Sequence, residues 1–256
     1  MMVEVSIILL AHNKPELTAQ CIKSLVSSVG GIDYEVIVIN NASDEEPAKK
    51  FFEELSKETL VLTTDQNYSF AKANNIAAQY AKGQYILFLN NDTVLTPGFL
   101  GEMLALRKRK FYDKCRIVGC KLLFPDTNKV QHIGVILRQD SLPTHLYYGK
   151  DLSEKSVAQQ ANEERKCVAV TAACMLIDNL AFRELGGFDE RYINGFEDTD
   201  LCFKAKEKGY KSYYCPKALV YHIEHGSGEI DKGSFDNNVN VFANKWHNKL
   251  PTVNVA

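Results

Sequence analysis

The sequence predicts an α/β protein built on one mostly parallel sheet flanked by helices. Over the first hundred residues, short apolar segments rich in β-branched residues alternate with amphipathic segments, and turn residues separate them. Strands covered on both faces alternate with crossover helices in this way. Polar residues also follow three of the predicted strands directly. Open α/β sheets bind their ligands at that edge, so the sequence predicts a ligand-binding sheet.

Four strands and three helices are predicted in the first ninety residues. The strands are assigned to residues 3–10, 34–39, 60–63 and 84–89. Pro15 marks the start of the first helix, and apolar residues follow it at four-residue steps. Ser43 and Glu46 have the spacing of a capping box for the second helix. Alanines within residues 69–81 predict a third helix that packs closely.

The second half is predicted to be less regular. Strands are assigned to residues 116–124, 130–138 and 219–222, an apolar segment to 168–177, and a helix to 199–208. Residues 140–165 show no clear period, which predicts a mobile loop. No linker or repeat interrupts the chain. One domain over residues 1–256 is therefore expected, with two halves that divide near residue 118.

Length, composition and charge exclude several classes of protein. The chain has 256 residues, 45% of them hydrophobic and 24% charged, which is typical of a soluble globular protein. A formal net charge of −2 argues against a general nucleic-acid binder. No apolar stretch approaches the roughly 20 residues of a membrane-spanning helix, and the N-terminus has no signal-peptide pattern. Seven scattered cysteines without a CxxC pair predict reduced, mostly buried thiols in a cytoplasmic protein.

A basic run, Arg107-Lys108-Arg109-Lys110, ends the helix that follows Thr96-Pro97. The favoured interpretation is a solvated helix end, where cations meet the negative pole of the helix dipole. The alternative is a patch for a membrane surface or an anionic acceptor.

Familiar catalytic motifs are absent from the sequence, which has no GxGxxG after the first strand, no Walker phosphate loop, no GxSxG and no HExxH. The remaining candidates are carboxylates and histidines near strand ends. Asp92 directly follows a buried strand, where it could hold a phosphate-bridging cation or simply occupy a turn. His222 ends a later strand, as a second metal ligand or as a structural histidine, and His225 is its competitor.

Three acids, Glu197, Asp198 and Asp200, stand close together after Gly195 and Phe196. Helix capping and the helix dipole explain one or two acids at a helix start. These two effects do not explain a third acid. Because a helix N-terminus keeps a carboxylate ionised, this position suits a general base that accepts a proton from a hydroxyl.

Taken together, these motifs resemble the family 2 glycosyltransferases of the GT-A fold, particularly the bacterial rhamnosyltransferase-like branch. The resemblance covers nearly the whole chain and thins across residues 140–165 and at the C-terminus. The matching segments, in family order, are VSIILLAHNKPE, EVIVINNASDE, QNYSFAKANNIAAQYAKGQYILFLNNDT, LGGFDERY, GFEDTDLCFKAKEKGY and VYHIEHGSG. It implies a Rossmann-like, mostly parallel sheet with a smaller antiparallel region on the acceptor side. Residues 1–118 would bind the nucleotide sugar, and residues 119–256 would hold the acceptor and the catalytic groups.

The resemblance also implies roles for individual residues. The nucleotide pocket would contain Ala11, Asn13, Asn40, Ser43, Asn74, Asn90 and Asn91. Asn90-Asn91-Asp92 occupies the place of the family's Asp-x-Asp motif, so Asp92 would bind the divalent cation, Mg²⁺ or Mn²⁺, with His222 as the second protein ligand. Asp198 would be the general base, and Glu197 and Asp200 would be flanking groups that bind and position the acceptor or position the helix.

Two substitutions depart from the family pattern. Asn40 stands where many relatives have an aspartate that contacts the base, and Asn90 replaces the first acid of Asp-x-Asp. Fewer carboxylates around the cation predict weaker metal binding, since ligand charge tunes affinity for divalent ions.

The predicted function is inverting transfer of a sugar from a UDP- or dTDP-linked donor to an acceptor hydroxyl in bacterial surface polysaccharide or glycan assembly. The acceptor would be a glycan, either free or lipid-linked. A lipid-linked acceptor would bring a cytoplasmic enzyme into peripheral contact with the inner face of the membrane, for which the basic run is the one hint. Two alternatives stay open, a nucleotidyltransferase that makes sugar nucleotides and a non-catalytic nucleotide-sugar-binding module.

Overall fold

A computed structural model of the protein describes residues 3–223 and 231–249. The strands are β1 (Val5–Ala11), β2 (Tyr34–Asn40), β3 (Leu60–Thr63), β4 (Tyr85–Asn90), β5 (Thr93–Leu95), β6 (Cys115–Leu123), β7 (Val130–His132), β8 (Val135–Leu137), β9 (Pro143–His145), β10 (Arg165–Cys167), β11 (Cys174–Asp178) and β12 (Lys211–His222). The helices are α1 (Pro15–Ser28), α2 (Glu46–Leu55), α3 (Phe70–Ala78), α4 (Phe99–Arg109), α5 (Lys155–Ala161), α6 (Asn179–Glu184), α7 (Glu197–Glu207) and α8 (Lys232–Trp246), with a 3₁₀ turn at His247–Lys249.

Ten of these strands form one twisted sheet, whose main path runs β10-β12-β6-β11-β4-β1-β2-β3. β1 pairs in parallel with β2 and β4, β2 with β3, and β6 with β12. β11 lies antiparallel between β4 and β6, and β10 is antiparallel to β12, so six of the eight strands on this path point the same way. The predicted fold, a mostly parallel sheet with flanking helices, is confirmed.

The sheet separates two hydrophobic layers because successive side chains of a strand point to opposite faces. On β1, Ile7 packs toward the layer that includes α1, α2 and α4, whereas Ile8 packs toward the layer that includes α3, α6 and α7. Ala73 and Ala77 of α3 are fully buried in the second layer. Their small side chains let the helix lie close to the sheet, as the alanine pattern predicts.

A smaller antiparallel region lies beside the sheet, as predicted. β8 and β9 form a separate two-stranded sheet, and α5 packs with Val130 and Tyr214 in a satellite apolar cluster. α8 closes a further cluster with α7 through Phe203, Phe242 and Trp246.

Several predicted elements differ from the structure. Residues 140–165 are not one loop, because they contain β9 and α5 and lead into β10. The predicted strand 130–138 is broken at Gly134, whose φ of 113° a strand does not accommodate. Only the second part of residues 168–177 is a strand. These segments form short elements through tertiary contacts that their sequence pattern does not reveal.

The basic run at the end of α4 is paired with acids. Arg107 is buried rather than solvated and binds Asp178, which also lies 3.4 Å from Arg116. Lys108 contacts Glu4, and both Arg109 and Lys110 contact Glu164. This pairing leaves little unmatched positive charge for an anionic surface.

All seven cysteines lie within the described residues, and none forms a disulfide. Six are buried, which agrees with the prediction of buried thiols. Burial raises the pKa of Cys202 to about 12. Among the residues that the structure describes, no helix is long and apolar enough to cross a membrane.

Candidate active site

A cavity of about 500 Å³ opens at the carboxyl edge of the sheet. Loops after β1, β2 and β4, the hairpin β8–β9, the start of α7 and the end of β12 surround it. Its polar lining residues are His12, Asn41, Asn67, Asn90, Asn91, Asp92, Gln131, His145, Thr171, Asn194, Glu197, Asp198, Thr199 and His222. The position matches the ligand crevice of open α/β sheets.

Strand register brings Asp92 and His222 together. A two-residue turn after β4 carries Asp92, and β5 then pairs antiparallel with β12 so that Thr93 lies opposite His222. The backbone N–H of Ile223 donates to the carbonyl of Asp92 at 3.0 Å, which extends this pairing to the turn. As a result, the Asp92 Oδ1 and His222 Nε2 atoms lie 3.0 Å apart.

The Asp92–His222 pair has the donor chemistry and spacing of two ligands on one divalent cation. Ions such as Mg²⁺ take ligands at about 2.0–2.1 Å in near-octahedral geometry, which places neighbouring ligand atoms about 3 Å apart. Both residues are buried at the cavity wall. Within the described part of the chain, no group of three His, Cys, Asp or Glu side chains forms a metal site. A cation here would take its remaining ligands from a bound substrate or water. His225, the competing candidate, lies outside the described residues.

A strained turn begins α7 and presents its acids. Asn194, Gly195 and Phe196 have φ angles of 50°, 155° and 72°. Left-handed backbone costs a non-glycine residue roughly 1–2 kcal/mol, and such strain clusters at functional sites. The turn is tied to α3, because the N–H of Phe70 donates to Asn194 Oδ1 at 2.8 Å.

Asp198 lies on the cavity wall with hydrogen-bond donors behind it. Its Oδ2 accepts from the backbone N–H of Ala172 at 3.1 Å, and its Oδ1 accepts from that of Thr199 at 2.6 Å. These two hydrogen bonds fix the orientation of the carboxylate. The placement suits a carboxylate that takes up a proton from a cavity ligand.

Glu197, the adjacent acid, is only 6% exposed and also lines the cavity. Its Oε2 accepts from the N–H of Gly195 at 2.6 Å. Burial, together with the negative charge of Asp198, raises the pKa of Glu197 to about 8. Glu197 therefore keeps its proton at neutral pH.

Asp200 does not line the cavity, so of its two predicted roles the structure favours positioning the helix over contact with the acceptor. Its side chain is fully buried. The carboxylate accepts hydrogen bonds from Trp246 Nε1 at 2.7 Å, Lys245 Nζ at 2.9 Å and Tyr192 Oη at 3.2 Å. It joins α7 to α8, so its surroundings are those of a structural residue.

The predicted nucleotide-binding residues after β1 and β2 bond mainly to one another. The Asn13 N–H donates to Ser43 Oγ, and Ser43 N–H donates to Asn40 Oδ1. Asn13 Oδ1 accepts from the N–H groups of Asp44 and Glu45. Ser43 therefore does not complete the predicted capping box of α2, whose N-cap is Glu45. These residues, with buried Ala11, lie beside the cavity lining rather than in it.

The remaining predicted nucleotide-binding residues, Asn74, Asn90 and Asn91, differ in whether they line the cavity. Asn74 is on the buried side of α3, where its Nδ2 donates to the carbonyl of Phe70, and it does not line the cavity. Asn91 lines the cavity but is anchored, since its Nδ2 donates to Thr18 Oγ1 at 2.9 Å. Asn90 lines the cavity as well, with its Nδ2 3.2 Å from His222 Nε2.

Sequence reasoning missed several lining residues. His12 and Asn41 lie in the strand-end clusters, next to the predicted nucleotide-binding residues. Tyr68, Phe70, Phe196 and Phe235 form an aromatic part of the wall, which no single motif marks. Gln131 and His145 come from residues 119–256 and gave no sequence signal, because only the fold of β7 and β9 brings them to the cavity.

Comparison with solved structures agrees with the GT-A fold. The structure of GalNAc-T7 with UDP, GalNAc and Mn²⁺ superposes with a TM-score of 0.74 at 18% sequence identity, covering 94% of this chain and 48% of that one.

Two curated proteins are similar in sequence. The O-antigen biosynthesis protein RfbC of Myxococcus xanthus is 31% identical over 231 residues, which are 89% of this chain but only 18% of RfbC. The rhamnosyltransferase WbbL of Escherichia coli K12 is 25% identical over 246 residues, which are 88% of this chain and 89% of WbbL.

The family model for glycosyl transferase family 2 matches residues 6–162. That segment includes the strand-end clusters, Asp92 and the Gln131 and His145 positions of the cavity wall. The chain belongs to glycosyl transferase family 2.

Proposed function

We propose that this protein transfers a sugar, with inversion, from a nucleoside-diphosphate sugar to an acceptor hydroxyl in the assembly of a polysaccharide or glycan. One observation carries the proposal: a single cavity holds the Asp92–His222 pair on one side and the Asp198 carboxylate on another. Family membership supports the reaction class. The similarity to an O-antigen protein and to a rhamnosyltransferase supports surface polysaccharide as the product.

The donor nucleotide is assigned to residues 1–118 and the acceptor to residues 119–256. His12, Asn41, Asn90 and Asn91 supply polar groups at the carboxyl ends of β1, β2 and β4, where a base, ribose and diphosphate can lie. UDP and dTDP compounds are the proposed donors. The UDP in the structurally similar GalNAc-T7 complex supports that choice.

Asp92 and His222 would hold a divalent cation, Mg²⁺ or Mn²⁺. When bound, such an ion acts as a Lewis acid that neutralises the charge developing on a leaving diphosphate. Asp92 contributes one carboxylate oxygen and His222 one imidazole nitrogen from a buried wall, which keeps both atoms in place. The Mn²⁺ in the GalNAc-T7 complex supports a metal in this fold.

Asp198 would be the general base. Deprotonation of the acceptor hydroxyl makes its oxygen a better nucleophile toward the anomeric carbon, on the face opposite the leaving group. The N–H groups of Ala172 and Thr199 hold the carboxylate ready for that proton. The neighbouring Glu197 is protonated at neutral pH, which makes it unsuited to take up that proton.

The aromatic wall formed by Tyr68, Phe70, Phe196 and Phe235 would support the acceptor. Aromatic rings bury large apolar area at small cost in side-chain entropy. Phe196 precedes Glu197 directly, so a molecule resting on this ring lies near the acids of α7. A lipid-linked glycan and a peripheral membrane contact belong to the same proposal, although the pairing of the basic run lends them no support.

A thermal-shift panel tests donor and metal together. UDP, dTDP and GDP are added with and without Mg²⁺ or Mn²⁺, because a ligand that binds the native state raises the melting temperature. We expect UDP or dTDP to stabilise the protein more when Mn²⁺ is present. Equal shifts with and without metal for every nucleotide would contradict the metal assignment.

The base is tested by Asp198→Asn, with Asp236→Asn, at an exposed position of α8, as the matched control. Donor turnover and transfer are followed with the sugar nucleotide that the panel selects. General-base assistance is typically worth about 10²–10⁴-fold, so transfer should fall by that factor while nucleotide binding stays. Nucleotide binding in the wild type without any donor turnover would instead favour a non-catalytic binding module.

A further inference from the structure

The imidazole of His222 is held from behind by one side chain, that of Gln131. Gln131 is 1% exposed and lies on β7, which pairs with β6. Its Oε1 is 2.7 Å from His222 Nδ1, and its Nε2 donates to the backbone carbonyl of His222 at 3.2 Å. One amide thus contacts both the ring and the main chain of the same residue.

These two contacts determine which way the amide of Gln131 faces. A backbone carbonyl can only accept a hydrogen bond, so the amide nitrogen must be the group that faces it. The amide oxygen then faces His222 Nδ1. Because that oxygen can only accept, Nδ1 must carry the proton, and in a neutral imidazole the other nitrogen carries none.

The other ring nitrogen, Nε2, is the one that faces Asp92. His222 Nε2 lies 3.0 Å from Asp92 Oδ1 and 3.2 Å from the amide nitrogen of Asn90, which can donate to it. A lone pair on Nε2 and a carboxylate oxygen at 3.0 Å repel each other unless a proton or a metal cation lies between them. The tautomer set by Gln131 is the one that leaves Nε2 able to bind a cation there.

We propose that Gln131 is a positioning residue that fixes the tautomer and ring orientation of His222, and so sets the affinity of the Asp92–His222 pair for a divalent cation. The inference rests on the proposed function, which places the cation at this pair. Metal-bound histidines commonly donate their second ring N–H to such a partner, and removal of the partner typically weakens metal binding 10- to 100-fold. Neither periodicity nor motif spacing marks Gln131, because it meets His222 across 91 residues of chain.

The first experiment reads the tautomer without metal. A long-range ¹H–¹⁵N spectrum of the full-length protein, with His222 assigned by its absence in His222→Ala, should show the proton on Nδ1. In Gln131→Met, which removes both polar atoms at similar length, the His222 signals should shift toward mixed tautomers. A wild-type Nδ1 that carries no proton, or an unchanged spectrum in Gln131→Met, would overturn the inference.

The second experiment measures affinity for Mn²⁺ alone from the electron paramagnetic resonance signal of the free ion. Gln131→Met should bind 10- to 100-fold more weakly than wild type. Gln131→Glu, which keeps an oxygen for Nδ1–H, should lose less than tenfold, and the exposed control Gln20→Met should lose nothing. In a His222→Ala background, Gln131→Met should cause no further loss, since both changes act through one ligand.

The outcomes distinguish failure of the role of Gln131 from failure of the metal assignment. If wild type binds Mn²⁺ and Gln131→Met binds it equally well with an unchanged melting temperature, the role of Gln131 is wrong and the metal site stands. If wild type binds no Mn²⁺, or His222→Ala binds it as tightly, the metal assignment itself is wrong. If Gln131→Met does not fold, Gln131→Glu decides. Its affinity for Mn²⁺ must then fall between those of wild type and His222→Ala.

Discussion

Two groups of polar residues at the carboxyl edge of the sheet differ in what they face. In the β1–β2 edge, defined as residues 13, 40 and 43–45, the polar groups mainly satisfy one another and the nearby backbone. In the cavity wall, defined as residues 90–92, 197–199 and 222, carboxylate and imidazole atoms face the cavity. Polar residues that follow a strand therefore locate the site, but they do not by themselves identify the groups that act in it.

The cavity wall should give the largest losses of activity. For Asp92→Asn we expect transfer to fall about 10²–10³-fold, since Lewis-acid stabilisation contributes several kcal/mol to a transition state. The melting temperature without ligand should change little, because the asparagine keeps the shape of the turn. Transfer rates over a Mn²⁺ titration, with exposed Asp126→Asn as the control, measure the effect. If transfer by Asp92→Asn depended on Mn²⁺ as it does in the wild type, the cavity wall and the β1–β2 edge would no longer differ in function.

Asp200 should be a stability residue, in contrast to Asp198 two positions earlier. Removing one partner of a buried ion pair costs about 3–5 kcal/mol, and we expect the lower end for Asp200→Asn because Lys245 also contacts Asp189 at 2.8 Å. Urea unfolding of Asp200→Asn and Asp198→Asn measures the contrast. If Asp200→Asn kept wild-type stability but lost transfer, its predicted place on the acceptor side would be restored.

Glu197 should make the protein less stable as pH rises. Its pKa is raised from 4.5 to about 8 in the native state, so between these values the native protein binds more protons than the unfolded chain. Stability from this group is therefore complete below about pH 4.5 and is lost as pH rises toward 8.

Glu197→Gln keeps the neutral form and should flatten this dependence. At pH 8 the variant should exceed wild type by about 1 kcal/mol or more, which is roughly 2–4 °C for a domain of this size. Melting temperatures from pH 5 to 8 measure the difference. Parallel curves for the two proteins would show that Glu197 is already ionised at pH 5.

The β1–β2 edge should give the smallest effects. Asn13→Ala removes two hydrogen bonds to the backbone of Asp44 and Glu45, at an expected cost of about 1 kcal/mol in unfolding free energy. Because Asn13 does not line the cavity, transfer should fall by less than tenfold. A loss as large as that of Asp92→Asn would place Asn13 among the residues that contact the donor.

The first half of the fold could be predicted from sequence because its signals are local. β3 is predicted at residues 60–63, and β1, β2 and β4 within two residues of their ends, since buried parallel strands are continuous apolar segments bounded by turns. The three-residue β5 is not predicted. The second half could not be predicted as well. Short elements such as β9 and α5 take their order from contacts with distant segments, such as the packing of α5 against Tyr214.

The sequence by itself determined the fold class, the family resemblance and the edge of the sheet that carries the cavity, because apolar periodicity and strand-end polarity are written along the chain. Only the tertiary structure decided which polar residues face the cavity. The pairing of β5 with β12 brings His222 to Asp92, α8 encloses Asp200, and β7 places Gln131 behind His222. Such contacts join residues 45 to 132 positions apart, and no local pattern of side chains encodes which distant partner each one meets.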